Sequence, residues 1–209
     1  MRKLASFIIA ATLLLAGMAF AQQPPQRPAY TELKPAVGTE APAGKVEVLE
    51  FFWYGCIHCY NLEPALETWL KTLPAHAQFR RVPAVFSERW AYDAAIYYTF
   101  EALGVLDKLH RPFFDAIHRD RLRTDNQQAL AEWLQKNGVD PKKFSDTMKS
   151  FGVQSKTKRA IQLTSAYKID GTPAMAVNGR YTVSAEQGGS REGMLESVSK
   201  LIELSRTAK

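Results

Sequence analysis

Cysteine is nearly absent from this chain: of 209 residues only Cys56 and Cys59 are cysteines. That excludes a multi-disulfide scaffold and a four-cysteine zinc site. Nowhere do five or six basic residues run together, and the formal charge of +6, from 27 Lys+Arg against 21 Asp+Glu, is dispersed. Nucleic acid is therefore not an expected partner. Internal repeats are missing, and beyond the N-terminal leader so are low-complexity tracts. What is present is ordinary: 46% hydrophobic and 23% charged residues. Such a chain buries a core rather than staying disordered, and its length suits one or two domains.

The first residues read as an address. Met1-Arg2-Lys3 is a short cationic start, Leu4 to Phe20 is almost wholly apolar, and Ala19-Phe20-Ala21 supplies the small-x-small cleavage pattern. This predicts a signal peptide over 1–21, cut between Ala21 and Gln22, and so an exported mature chain of formal charge +4. A retained anchor is the alternative, since the apolar run nears spanning length. Export to a bacterial periplasm is expected, where a disulfide persists.

Residues 22–44 hold Pro24, Pro25, Pro28, Pro35 and Pro42 and read as an extended leader with one short strand near Tyr30–Leu33. Val46 to Trp53 is a β-branched and aromatic run, apolar on both faces as in a covered strand. Beyond Gly55-Cys56 the period turns helical through Leu62, Leu66, Trp69, Leu70 and Leu73. Gln78 to Phe86 reads as a second strand, which completes a βαβ unit and predicts a parallel pair. Residues 87–168 give only helical candidates: Trp90–Leu103, Leu106–Arg119, Gln127–Lys136, Pro141–Ser150 and Gln154–Tyr167, with Asn137-Gly138 and Phe151-Gly152 as breaks. Ala174–Val177 and Tyr181–Val183 flank Asn178-Gly179-Arg180 as a hairpin, and Gly193–Arg206 closes as a helix. Neither flank makes a stable sheet alone. The expectation is one α/β core, 45–86 with 169–209, carrying an inserted all-helical domain over 87–168.

Cys56-Ile57-His58-Cys59 sits where the first strand feeds the first helix. Residues three apart on a helix have Cβ atoms roughly 5–6 Å apart, so this pair closes and opens without moving the fold. At the helix N-terminus unpaired N–H groups and the dipole favour an anion, which lowers the pKa of Cys56 and makes its thiolate the reactive species. Cys59, one turn inside, is expected to be buried with a higher pKa and to act as the resolving sulfur. A structural disulfide is a weaker reading, because so small a ring removes little chain entropy. A metal site with His58 as third ligand lacks a fourth, and haem attachment needs a His where Tyr60 stands. No metal is expected.

Val48-Leu49-Glu50-Phe51-Phe52 leading to Cys56-Ile57-His58-Cys59-Tyr60, with Gly171-Thr172-Pro173-Ala174 far downstream, resembles the periplasmic thiol oxidases of the DsbA family. The resemblance spans nearly all of the mature chain. It implies a thioredoxin fold with an inserted helical domain, and donation of the Cys56–Cys59 disulfide, with no other cofactor, to exported client proteins bearing free thiols. It also implies reoxidation by a quinone-linked membrane partner, DsbB; the chain is expected to act as a monomer. Ile57 stands where the best-known members carry proline, within the dipeptide that tunes the potential. His58 is expected to stabilise the Cys56 thiolate, which makes the disulfide more oxidising. The resemblance also turns Thr172-Pro173 from the default trans bond into a cis-proline loop beside the cysteines, with Thr172 meeting the client backbone. A reductase or isomerase of the same fold, and a binding or chaperone module whose cysteines are inert or bind copper, remain as alternatives.

Glu50 interrupts an apolar strand. If that strand is central, the carboxyl is buried and its pKa raised, which suits a proton acceptor near the thiols. Glu47 has a weaker claim, and Glu63, one turn past Cys59, could tune the site but reads first as a surface charge on the helix. Trp90, Tyr92, Tyr97, Tyr98 and Phe100 read as a buried helix face, and His76, His110 and His118 receive no role.

Overall fold

The computed structural model describes residues 29–207, so the expected signal peptide and the first part of the leader lie outside the described residues. Strands are β1 (Thr31–Glu32), β2 (Val46–Phe52), β3 (Ala77–Pro83), β4 (Ala174–Val177) and β5 (Tyr181–Ser184). Helices are α1 (Ile57–Leu70), α2 (Glu88–Ala102), α3 (Leu106–His118), α4 (Gln127–Lys136), α5 (Pro141–Met148), α6 (Phe151–Ala166), α7 (Ala185–Gly188) and α8 (Arg191–Thr207). The sheet order is β1-β5-β4-β2-β3, with β2 and β3 parallel and the other neighbours antiparallel. This is the thioredoxin-like α/β fold, with the helices α2 to α6 inserted between β3 and β4.

β2 lies between two strands, and every one of its residues is buried. One apolar cluster joins Val46, Val48, Met175 and Val177 of the sheet to Leu62 and Leu66 of α1 and to Met194, Val198 and Leu201 of α8. Burying each such leucine contributes about 1.5–3 kcal/mol. The second cluster joins Leu49, Phe51, Phe52 and Tyr54 to Tyr97, Phe100, Phe113, Phe114 and Leu163 of the insertion. The inserted helices and the sheet thus share one continuous core.

Several boundaries differ from expectation for local reasons. β3 stops at Pro83 rather than Phe86, because its partner β2 ends at Phe52, opposite Pro83, to enter the cysteine turn. α6 begins at Phe151, not Gln154: the Ser150 hydroxyl accepts from Val153 N, so Phe151-Gly152 is a capped first turn and no break. The short α7 was not expected; Ser184 and Gln187 close a capping box around it. The β4–β5 hairpin turns through Asn178 and Gly179, both at positive φ. A Cβ on Gly179 would lie 1.9 Å from the Val37 carbonyl oxygen, so glycine also lets the leader lie against the hairpin.

Candidate active site

The end of β2, the start of α1 and the entry to β4 converge at the cysteines. Cys56 is the N-cap of α1, with extended backbone, and its Sγ accepts from Cys59 N at 3.4 Å. Cys56 N donates to the Trp53 carbonyl at 2.9 Å, which fixes the turn that brings the sulfur to the helix mouth. Across the sheet, β4 pairs with β2 so that Ala174 stands opposite Phe51. That register delivers Thr172 and Pro173 to the same end of the sheet. The Thr172–Pro173 bond is cis, and the Cys56 thiol donates to the Thr172 carbonyl at 3.4 Å.

The two sulfurs differ sharply. Cys56 is partly exposed, and hydrogen bonding from the Cys59 thiol, aided by the Thr172 side chain and the Cys59 and His58 backbone, holds its pKa down to about 5 against burial. Cys59 is fully buried, and burial, then its bond to Cys56 and the charges of Cys56 and Glu50, push its pKa well up. Ile57 is 47% exposed and the His58 side chain is exposed. What links His58 to the sulfur here is its backbone N–H rather than its imidazole.

Beneath the cysteines lies a buried charge cluster. Glu50 is 0% exposed, and Arg81, directly opposite on β3, places Nε 3.0 Å from its Oε2 without the alignment of a hydrogen bond. The same guanidinium donates through Nη2 to both oxygens of Glu63, at 3.2 and 3.0 Å. Burial raises the Glu50 pKa to about 8 despite Arg81. Burial also opposes ionisation of Glu63, but hydrogen bonding to His110 and the Arg81 charge hold its pKa below the ordinary value. Glu63 at 1% exposure is therefore no surface charge, contrary to expectation: α1 turns it inward to meet Arg81. Glu47, also buried, accepts instead from Glu40 N and from Arg80, well down the strand.

Residues without an expected role complete the site. His110 is buried, with Nδ1 2.9 Å from the Tyr54 hydroxyl and Nε2 3.4 Å from Glu63 Oε1. Burial lowers its pKa. The neutral ring then accepts from Tyr54 and donates to Glu63. His118 donates to the Tyr54 carbonyl at 2.8 Å and stacks on Tyr60. A cavity of about 190 Å³, lined by Glu63, Arg81 and His110 among others, adjoins the charge cluster. The sequence signal for Arg81 is slight: it is one of two adjacent arginines in the half-buried edge strand β3. In the aromatic run, Tyr97, Tyr98 and Phe100 are core as expected, while Trp90 is half-buried and stacks on Trp53 at 4.1 Å. Among the described residues no group of three or more His, Cys, Asp and Glu is placed to hold a metal.

Residues 64–198 match the family described as the DSBA-like thioredoxin domain. The thiol:disulfide interchange protein DsbA of Azotobacter vinelandii is 41% identical over 179 residues, covering 86% of this chain and 83% of that protein. The protein of the same name from Bordetella pertussis is 41% identical over 206 residues, covering 98% and 96%. Among solved structures, the crystal structure of Pseudomonas aeruginosa DsbA superposes with a TM-score of 0.81 at 38% identity, over 87% of this chain and 94% of that one. Reduced DsbA1 from Neisseria meningitidis gives 0.73 at 29% identity, over 91% and 96%.

Proposed function

The chain belongs to the DsbA family and is a thiol:disulfide oxidoreductase, and from that premise we propose that it works in the periplasm as an oxidant of exported proteins, through Cys56 and Cys59. In this reading a client thiolate attacks Cys56 Sγ of the oxidised pair. The Cys56–Cys59 bond breaks, Cys59 leaves with the electron pair, and a mixed disulfide joins client to Cys56. A second client thiolate then attacks the client sulfur, and Cys56 leaves as a thiolate. Two electrons pass from client to enzyme. A quinone-linked membrane oxidase of the DsbB kind removes them again.

The observation that carries this reading is the split between the sulfurs: Cys56 held down to about 5 and Cys59 pushed well up. A good leaving thiolate is a low-pKa one, so the mixed disulfide on Cys56 resolves towards oxidised client. Stabilising that thiolate stabilises the reduced enzyme and so makes the disulfide a stronger oxidant. Glu50 is the proton partner of Cys59: protonated at neutral pH, it supplies a proton as that sulfur leaves and takes it back on reoxidation. Thr172 beside Pro173 offers backbone to the client as an added strand. Ile57 and the His58 imidazole face solvent and tune the sulfur from outside.

The oxidised protein, mixed anaerobically with one equivalent of a reduced dithiol peptide and quenched with iodoacetamide, should convert the peptide to its disulfide stoichiometrically. A peptide left reduced while the enzyme stays oxidised overturns the proposal. Membranes containing quinone should then restore the enzyme disulfide.

A further inference from the structure

Asp93 is a buried carboxylate that the disulfide chemistry leaves without a task. It sits on α2, within the insertion, at 1% exposure. Both oxygens are engaged: Trp53 Nε1 donates to Oδ2 at 2.7 Å and Thr124 Oγ1 donates to Oδ1 at 2.7 Å. Arg89 is 3.7 Å from Oδ2 and also donates to Thr124. Burial raises the Asp93 pKa. Without this carboxylate the Trp53 N–H and the Thr124 hydroxyl would lose their acceptor, so Asp93 ties both to one place.

The geometry so fixed is that of Trp53. Its ring stacks on Trp90 with an interplanar angle of 15°, and Phe86 meets Trp90 edge-on at 4.7 Å. On the turn side the ring covers Gly55, where a Cβ would stand 2.3 Å from its Cζ2. Stacking alone lets an indole slide or flip; one directed N–H bond picks a single orientation. The Trp53 carbonyl in turn receives Cys56 N at 2.9 Å. A ring that leaves its place presses on Gly55 or vacates it, and the turn holding Sγ at 3.4 Å from Cys59 N shifts with it. Reactive geometry tolerates displacements of only about 0.5 Å.

We propose that Asp93 is a positioning residue of the redox centre, which orients Trp53 and through it the turn that presents Cys56. The proposal rests on the reading of Cys56 as the attacked sulfur. The test is thiolate absorbance of the reduced protein titrated against pH, with alkylation rates alongside. D93A should raise the Cys56 midpoint by about one unit, the scale of one lost hydrogen bond to a charged centre. D93N keeps an acceptor for the indole and should restore the midpoint to within a few tenths of a unit. T124V leaves the indole bond in place and should not move it. W53F, which keeps a ring but no N–H, should shift it as D93A does, and the D93A/W53F double variant should shift it no further.

A folded D93A with the wild-type midpoint overturns the proposal, as does a D93A effect that adds fully to that of W53F. Should D93A fail to fold, W53F decides alone: an unmoved midpoint overturns the proposal and a raised one supports it. A wild-type midpoint like that of free cysteine instead defeats the reading of Cys56 itself, so the two failures are told apart.

Discussion

Cys56 and Cys59 lie one helical turn apart and occupy opposite surroundings. The first caps a helix among backbone donors at the protein surface, while the second is sealed over a buried carboxyl. Identical side chains thereby acquire opposite pKa shifts, from hydrogen bonding at Cys56 and from burial and neighbouring groups at Cys59. The difference also shows where the fold spends stability. The apolar cluster under α8 holds valine, leucine, isoleucine, methionine, alanine and aromatic side chains, whereas three ionisable groups, Glu50, Glu63 and Arg81, are packed beneath the sulfurs.

The strongest way to break the contrast is to remove one sulfur at a time. C56S should abolish disulfide transfer to a dithiol peptide, while C59S should accumulate mixed disulfides through Cys56, seen by non-reducing mass spectrometry. Equal trapping by both variants would defeat the division of labour. Next, R81A leaves two carboxyls buried without their cation and should cost about 3–5 kcal/mol in urea unfolding. An effect under 1 kcal/mol would mean that water already reaches the cluster.

The pKa of Cys56 makes the contrast visible as stability. A depressed thiol stabilises the reduced fold fully above the ordinary value of 9.0, and that gain is lost as pH falls through about 5. The oxidised fold lacks this group. The melting temperature of the reduced form minus that of the oxidised form should therefore shrink steadily from pH 9 to pH 5, and a flat difference would contradict the thiolate. Glu50 works with the opposite sign. Its raised pKa favours the fold fully below 4.5, and this is lost as pH rises through about 8. E50Q should gain stability relative to wild type over that interval, and a constant offset would show that Glu50 titrates normally. The smallest effect belongs to His58: H58L should lower the reduction potential by about 30 mV, tenfold in the exchange constant, in a glutathione titration. An unchanged potential would leave only the backbone N–H of that residue at work.

What could be read from the chain was what is local. β2, the helix that starts at its end, the Asn178-Gly179 turn and the exchangeable cysteine pair all follow from periodicity and spacing a few residues wide. The burial of Glu50 followed once β2 was central, as the apolar residues on both of its faces suggested. Glu63 was misread because nothing within α1 signals the cation waiting on β3. His110, His118 and Asp93 stayed silent for the same reason: each acquires its partner across an insertion, as Tyr54 meets His110 and Trp53 meets Asp93. Thr172 lies 116 residues from Cys56, and only resemblance to a family pointed to their meeting. At Phe151-Gly152 a glycine outweighed the serine before it, although capping, not flexibility, governs a helix start.

The shared core between sheet and inserted helices bears on how far this protein can be trimmed. Deleting residues 87–168 from the gene and splicing the ends would strip Tyr97, Phe113 and Phe114 from Phe52 and Tyr54. The minimal scaffold so made would turn an oily flank to water and lose the Asp93 anchor in the same cut. Any miniaturised version must first repaint that flank with polar residues.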